Sequence, residues 1–383
     1  MEFGKKMTRR QRLMATLEGR PVDRPAVSFY EIGSFKYNPD DPDEFNVHND
    51  PSWRPLIRLA EEQTDIIRLI GAKPLNDNPA AANYLAAEKW QEGKSRYVKN
   101  TISICGRKMT ELTRRDADTD TVWKLEHYLK DIDDLKAFVE LPFEVFAYQY
   151  DCEKLLQFDK ELGDAGIAAF DTADPVCRAA DLFSMEDFTI FAMTEPQLFH
   201  RLLQKFADII YPAVEDAAKR CPGRLWRIYG PEYASEPYLP PALFNEYVVN
   251  YDTQIIKTIQ KYGGYARIHS HGRLKNILPL ISKMGADGLD PIEPPMQGDV
   301  ELEYVRENYG RNMVLFGNLE ITDIENLEPS EFEKKVRAAL EQGTAGSGRG
   351  FVLMPSASPY GRTISARTMT NYETMVRLVE NWN

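Results

Sequence analysis

The sequence predicts an α/β protein of the (β/α)8 barrel class with an insertion after the second strand. Eight short apolar runs with strand character alternate with helical stretches, the pattern of parallel strands joined by crossover helices. No Gly-x-Gly-x-x-Gly sequence follows a strand, so an open doubly wound sheet is the weaker alternative. Because no repeat or Gly/Ser linker interrupts the 383 residues, residues 1–383 are predicted to form a single domain, with the insertion at about 72–150.

The individual elements follow from apolar periodicity and from residues that begin or end helices. A first helix is predicted over residues 8–18, because Thr8 is a suitable N-cap and Gly19 can end it. Within the insertion, residues 95–98 and 101–104 predict an antiparallel hairpin, and residues 132–139 predict a helix. The other strands are predicted at residues 26–31, 65–70, 166–171, 225–229, 265–270, 287–290, 313–316 and 351–354. The other helices are predicted at residues 57–64, 153–162, 196–220, 241–262, 274–284, 302–309, 330–341 and 365–380.

Composition and charge exclude several classes of function. The net charge of −12 disfavours binding to nucleic acid or to an anionic membrane, since both are held mainly by basic side chains. No apolar run reaches the roughly 18 residues that span a bilayer, and the basic start lacks the apolar segment of a secretory signal. The four cysteines are scattered, with no Cys-x-x-Cys pair, as in a reducing compartment. These features predict a cytoplasmic protein that acts on small molecules and can form a homo-oligomer.

The segment Tyr265–Ser270, continued by His271 and Gly272, carries the clearest chemical signal. Alternate residues of a strand face the same way, so Arg267, His269 and His271 are predicted to share one face. Two imidazoles at this spacing can bind one metal ion. The alternative is a hydrogen-bonded or substrate-binding histidine pair.

A carboxylate at the end of the next strand would complete a metal site. Asp290 ends that strand and Glu293 follows it, so both qualify as the third ligand, and Pro294 and Pro295 stiffen the loop that holds Glu293. We predict that His269, His271 and Glu293 bind the metal, with Asp290 as a loop cap or substrate ligand. Two histidines and one carboxylate leave an open coordination position, which suits catalytic zinc or another divalent ion.

Polar residues at other strand ends are further candidates. Glu232 follows the strand 225–229 and is predicted to act as a general acid or base, or as a fourth ligand. Asn318 is predicted to orient the substrate or a metal-bound water. Tyr360 and Arg362 follow the last strand and are predicted to bind substrate, together with Arg267, since guanidinium groups bind carboxylate or phosphate.

Taken together, these motifs resemble the uroporphyrinogen decarboxylase superfamily. The resemblance extends from about residue 8 to about residue 380, and it implies a (β/α)8 barrel. It rests on the opening motifs at residues 8–12 and 17–25, the His-x-His-Gly strand, and the segments 285–289, 316–319 and 355–359.

Within the superfamily, the sequence is closer to the corrinoid-dependent methyltransferases than to the heme-pathway decarboxylases. The decarboxylases bind porphyrinogen carboxylates through an arginine-containing segment, whereas residues 29–35 here contain no arginine. The methyltransferases hold zinc with His-x-Cys, Glu and a final Cys. By that resemblance His271 replaces the first cysteine, and the last one falls near Ala357, with Ser356, Ser358 or water in its place. Nitrogen and oxygen ligands are harder than thiolates, so this ligand set favours O- or N-methylated compounds over thiols as substrates.

The resemblance therefore implies a metal-dependent methyltransferase that exchanges a methyl group between a small O- or N-methylated compound and a corrinoid cofactor or corrinoid protein. Its cofactors would be a divalent metal, zinc by preference, and a cobamide as methyl carrier. Two alternatives remain open. One is a decarboxylase or lyase on a small carboxylic acid, with Arg267 and Arg362 as the carboxylate clamp. The other is a non-catalytic member that binds a corrinoid or another small molecule.

Overall fold

Residues 6–75 and 78–382 of the chain are described by a computed structural model. Its strands are β1 (Ala26–Val27), β2 (Ile66–Pro74), β3 (Leu85–Glu92), β4 (Ser95–Ile104), β5 (Arg107–Asp116), β6 (Val122–Glu126), β7 (Tyr148–Tyr150), β8 (Gly166–Ala173), β9 (Leu225–Tyr229), β10 (Tyr265–Ser270), β11 (Gly288–Pro291), β12 (Val314–Leu319) and β13 (Phe351–Pro355).

The helices mostly lie between successive strands of the main sheet. They are α1 (Arg9–Leu17), α2 (Glu31–Ser34), α3 (Trp53–Gln63), α4 (Pro79–Tyr84), α5 (Ile132–Val139), α6 (Cys152–Leu162), α7 (Pro175–Ala180), α8 (Met185–Thr194), α9 (Pro196–Arg220), α10 (Pro241–Phe244), α11 (Asn250–Lys261), α12 (Leu278–Met284), α13 (Leu302–Asn308), α14 (Ile321–Asn326), α15 (Pro329–Thr344) and α16 (Ala366–Glu380). A π-helical segment, Asn245–Val249, joins α10 to α11 and interrupts the predicted continuous helix. In the part of the chain described, none of the helices is long and apolar enough to cross a bilayer.

Within residues 6–75 and 78–382, the main sheet contains nine strands in the order β1-β13-β12-β11-β10-β9-β8-β2-β7. All neighbours pair in parallel except β7, which is antiparallel to β2. The parallel α/β architecture is therefore confirmed. Among the described residues β1 and β2 share no strand ladder, although Asp65 N–H donates to the Val27 carbonyl at 2.7 Å. Closure of the barrel stays a prediction.

The two faces of the sheet bury different side chains. One cluster fills the outer face beneath the helices and includes Phe170, Trp226 and Ile268. The other lies on the inner face and includes Leu69, Leu225 and Phe316, packed with Leu13 and Leu17 of α1. This alternation follows from the two-residue period of a strand. It places Arg227 and Arg267 on the inner face, one position from the outward Trp226 and Ile268.

The region between β2 and β8 contains a second sheet, with the order β3-β4-β5-β6 and antiparallel pairing throughout. The predicted hairpin within residues 95–104 is wrong. These residues form the single strand β4, because Lys99 and Asn100, between the two halves, stay extended and pair with both β3 and β5. The predicted helix at 132–139 coincides with α5. The single-domain assignment and the boundaries of the insertion stay predictions.

Asp65 links the segments that meet between β1 and β2. Its buried carboxylate accepts hydrogen bonds from Arg12 at 2.5 Å, Arg24 at 2.9 Å and Val27 N–H at 2.9 Å. We expect Asp65→Ala to lower the free energy of unfolding by about 3–5 kcal/mol, because it leaves a buried guanidinium with one partner fewer. Urea denaturation measures the change. The exposed control Asp164→Ala should stay within about 0.5 kcal/mol of the wild type, and equal effects of the two substitutions would contradict this role.

Candidate active site

The candidate site lies where the parallel strands β9, β10 and β11 end. In register, His269 of β10 lies between Tyr229 of β9 and Asp290 of β11. One step earlier, Arg267 lies beside Arg227. Side chains at the carboxyl ends of parallel strands converge at one edge of a sheet, where α/β enzymes carry their active sites. The predicted shared face of Arg267 and His269 is thus present in the fold.

Two buried ion pairs form the base of the site. Arg227 donates to both carboxylate oxygens of Asp171, at 2.7 and 2.8 Å, and also to the hydroxyl of Tyr30. Arg267 Nε lies 3.0 Å from Asp290 Oδ1, an ionic contact without hydrogen-bond geometry. The guanidinium of Arg267 also lies over the ring of Phe316, at 4.8 Å. We call these four charged residues, Asp171, Arg227, Arg267 and Asp290, the charged layer.

Electrostatics keep Asp290 ionised although it is fully buried. Burial alone would raise the pKa of Asp290, but Arg267 and His269 outweigh this effect and lower the pKa to about 2. Burial lowers the pKa of Arg267, although its ionic contact with Asp290 opposes that shift. The layer therefore places two basic and two acidic side chains in a region with little access to water.

His269 is held between the charged layer and Tyr30. Its Nδ1 lies 2.7 Å from Asp290 Oδ2, and its Nε2 lies 3.5 Å from the Tyr30 hydroxyl. The two rings stack with centroids 5.8 Å apart. Since both ring nitrogens face protein groups and the residue is buried, His269 is fixed in orientation.

His271 faces outward and forms a second pair. Its Nδ1 lies 2.8 Å from Glu293 Oε1, while Glu293 Oε2 accepts the Gly272 N–H at 2.6 Å. Burial lowers the pKa of His271, but the bond to Glu293 outweighs it, so the pKa is raised. Burial alone would raise the pKa of Glu293, but the hydrogen bond and the charge of His271 outweigh burial, so the pKa of Glu293 is lowered. Both shifts favour the charged form of the pair, an imidazolium beside a carboxylate, and the His271 side chain is 36% exposed.

The predicted metal ligands do not form a ligand set in this geometry. One carboxylate oxygen of Glu293 is hydrogen-bonded to His271, and the other accepts the Gly272 N–H. Glu293 therefore orients the imidazole and has no free oxygen to bind a metal ion together with it. Across residues 6–75 and 78–382, no three His, Cys, Asp or Glu side chains are grouped so that they could hold a metal ion. The residues present therefore do not fit the predicted His269, His271 and Glu293 site.

Glu232 lies beside a pair of buried acids. Its Oε2 is buried and has no hydrogen-bond partner in the described structure. Burial raises the pKa of Asp174 and of Asp252 well above that of an ordinary carboxyl group, and the charge of Glu232 adds to the shift in Asp174. Glu232 also contributes to the raised pKa of His271. Its predicted role as acid or base stays a prediction, and its charge acts on the His271 pair.

The remaining predicted residues, Asn318, Tyr360 and Arg362, have different surroundings. Asn318, in β12, is partly buried opposite Met354 of β13, and Tyr360 is 51% exposed. Arg362 donates to the carbonyls of Glu44 and Ala117, at 2.8 and 2.7 Å, and to the side chain of Asn49. Arg362 therefore joins three chain segments through these hydrogen bonds, and Arg267 is ion-paired with Asp290. Neither is available as the predicted carboxylate clamp without losing those contacts.

The sequence reasoning missed four residues of this region. Asp171 and Arg227 complete the charged layer. Tyr30 contacts His269, and Glu320 follows β12. Burial and the charge of Glu293 raise the pKa of Glu320 to about 7. A signal was available for Arg227 and Asp171, because a charged residue inside an otherwise apolar strand needs a partner.

A cavity of about 510 Å³ adjoins the charged layer. It lies beside the carboxyl ends of β2, β8 and β9, and Asp171 and Tyr229 form part of its wall. Most of its other lining is aromatic or apolar and includes Phe146, Tyr148 and Tyr150. The cavity is large enough for a small organic molecule.

Comparison with known proteins adds a family and a shared fold. Residues 117–382, more than half of the chain, match the sequence profile described as uroporphyrinogen decarboxylase. A methyltransferase from Methanosarcina mazei has a similar structure, with a TM-score of 0.59 and 16% identity over 98% of this chain and 99% of that one. A sugar phosphate isomerase/epimerase from Parabacteroides distasonis covers 59% of this chain and 89% of its own, with 14% identity and a TM-score of 0.32. No curated protein matches the sequence.

Asp290 should control stability in a pH-dependent way. We expect Asp290→Asn to lower the free energy of unfolding by about 3–5 kcal/mol near neutral pH, because Arg267 loses its buried counterion. The folded pKa of Asp290 lies below its ordinary value, so its contribution is complete above pH ~4 and disappears as pH falls through about 2.

Urea denaturation from pH ~6 to ~3 tests this expectation. The difference between wild type and Asp290→Asn should narrow with acidification, while an exposed control, Asp133→Asn, should show no such trend. A constant difference across the range would contradict an ionised, paired Asp290.

Proposed function

The chain belongs to the uroporphyrinogen decarboxylase family, and from this premise we propose that it is a methyltransferase. It exchanges a methyl group between a small O- or N-methylated compound and a corrinoid, either free or carried by a partner protein. The support is the family, the fold shared along nearly the whole chain with the Methanosarcina mazei methyltransferase, and the absence of arginine from residues 29–35.

The observation that carries this proposal is the His271–Glu293 pair. It lies at the strand ends, it is partly exposed, and Glu293 is itself fixed by the Gly272 N–H. An imidazole with one nitrogen held by a carboxylate presents the other nitrogen, Nε2, in a defined orientation. This is the arrangement of a general acid that serves a reacting group at the mouth of the site.

Methyl transfer from an ether oxygen needs such an acid. As the C–O bond breaks, the oxygen keeps the bonding electron pair and takes a proton from His271 Nε2, so it leaves as an alcohol. When bound, a corrinoid would supply the methyl acceptor, since its reduced cobalt would provide the electron pair for the new bond to carbon. Glu293 raises the pKa of His271 and so favours the protonated imidazole before transfer, and the charged layer below keeps His269 in place beside it.

The lyase alternative gains no support from the site. A decarboxylase of small acids needs a cation that can bind the substrate carboxylate. Arg227 and Arg267 lie close enough to the site, but both are buried and already face Asp171 and Asp290. Binding a carboxylate there would break an existing buried ion pair. The methyl-transfer reaction has no such requirement.

His271 is the residue whose loss should remove activity. We expect His271→Gln to slow methyl transfer to cob(I)alamin by about 10²–10⁴-fold, since glutamine cannot supply the proton. Loss of methoxy donor and appearance of the alcohol measure the rate.

The matched control for His271→Gln is His200→Gln. His200 is also paired with a glutamate, Glu246 at 2.7 Å, but it lies on the surface helix α9. This variant should keep full activity. If circular dichroism showed both variants to be folded and both retained activity, His271 would not be the acid. If the wild type released carbon dioxide from small acids and transferred no methyl group, the proposal would be replaced by the lyase.

Metal content separates this acid mechanism from the metal-dependent one that the sequence predicted. Because Glu293 is engaged by His271 and Gly272, we expect elemental analysis of the purified protein to show well under one equivalent of zinc or other divalent ion. His269→Ala/His271→Ala should leave that content unchanged. One equivalent of metal that disappears in the double variant would restore the predicted His269, His271 and Glu293 site and overturn the acid role of His271.

A further inference from the structure

The cavity beside the charged layer is lined by a guanidinium that no described acidic side chain neutralises. Arg178, in α7, belongs to the lining and is half-buried. Within residues 6–75 and 78–382, no carboxylate oxygen lies within 4.0 Å of its nitrogens, and its side chain donates no hydrogen bond. None of its nitrogens is both buried and unpartnered in that part of the chain, so its N–H groups are accessible to a ligand.

The other charged and amide groups of the described lining already have partners. Both carboxylate oxygens of Asp171 accept hydrogen bonds from Arg227, at 2.7 and 2.8 Å, so the charge of Asp171 is neutralised. The side chain of Asn78 donates to the carbonyl of Glu144 and accepts the Ala81 N–H. A ligand in the cavity therefore meets the positive charge of Arg178 without a competing anion from these groups.

Aromatic rings form much of the remaining wall. Tyr148 and Tyr150 are alternate residues of β7, so they share one face, and Phe146 and Tyr229 also line the cavity. We call these four residues the aromatic wall. The ring of Tyr150 packs edge to face against two rings of the core, with centroids 5.3 and 5.2 Å away, so its position is fixed. A wall of this kind favours a flat ring, through offset or edge-to-face contact.

We propose that this cavity binds an aromatic carboxylate, with the carboxylate on Arg178 and the ring against the aromatic wall. A guanidinium and a carboxylate form charge-assisted hydrogen bonds in a planar, bidentate geometry. The ring replaces water against apolar and aromatic side chains, which is the composition of most small-molecule sites. The cavity volume of about 510 Å³ admits a single or a fused ring.

The proposed acid pair is not part of this cavity. Neither His271 nor Glu293 is among the described residues that line it. The described lining also contains no histidine, cysteine or lysine, the side chains that most often act as base or nucleophile near neutral pH. We therefore expect the aromatic acid to be bound and released unchanged, whether or not the protein transfers methyl groups at His271.

Binding of 2-naphthoate tests the site without any turnover. 2-Naphthoate and 2-naphthamide have nearly the same shape, but only the acid is ionised at pH ~7. We expect the wild type to bind 2-naphthoate at least about tenfold more tightly than 2-naphthamide, because only the acid carries the charge that Arg178 attracts. Isothermal titration calorimetry measures both affinities.

Substitution of Arg178 tests the charge. Arg178→Gln should weaken 2-naphthoate binding at least about tenfold, to the affinity of the amide, and Arg178→Lys should restore part of the loss. The matched control is Arg58→Gln, an exposed substitution on α3 outside the cavity, which should leave the affinity unchanged.

A substitution at Gly71 tests the cavity itself. Gly71 belongs to the lining, its register partner in β8 is Asp171, and a Cβ added there would meet no other atom within 4 Å. Gly71→Leu can therefore place its side chain in the cavity without disturbing the sheet. We expect it to weaken the binding of both 2-naphthoate and 2-naphthamide about tenfold or more, since the leucine takes the place of the ring.

Several results would overturn the proposal. These are no measurable binding of 2-naphthoate, equal affinity for the acid and the amide, or full affinity in Arg178→Gln when circular dichroism shows that this variant is folded. If Arg178→Gln does not fold, Gly71→Leu decides, and unchanged affinity in that variant would contradict the site. Release of carbon dioxide from the bound acid would overturn its assignment as a binding site and support the lyase instead.

Discussion

Neutralisation of two arginines inside the sheet is the constraint on which the site depends. Arg227 and Arg267 are register neighbours on the inner face and are both buried. Two cations so placed repel each other and have lost their hydration, so each needs an anion in a fixed position. Asp171 and Asp290 meet that need from the adjoining strands β8 and β11. The arrangement fixes four successive strands relative to one another at the level just below the site.

The charged layer also determines what the two histidines can do. Asp290 has one oxygen near Arg267 and the other on His269, so His269 is part of the buried network and cannot turn. His271 lies two residues further along, beyond the network, where its partner Glu293 is held by a backbone N–H. The two imidazoles lie at right angles with centroids 4.7 Å apart. One histidine is thus structural, and its neighbour is placed to exchange protons with a bound compound.

Sequence patterns predicted which of these residues lie together better than they predicted the hydrogen bonds and ion pairs between them. The two-residue period of β10 was enough to place Arg267 and His269 together, and the next strand's end supplied Asp290 and Glu293. Whether Glu293 binds a metal or an imidazole depends on side-chain rotation and on the Gly272 N–H, which no pattern encodes. The pairing of Asp171 with Arg227 joins residues 56 positions apart, and only the strand order of the sheet makes them neighbours.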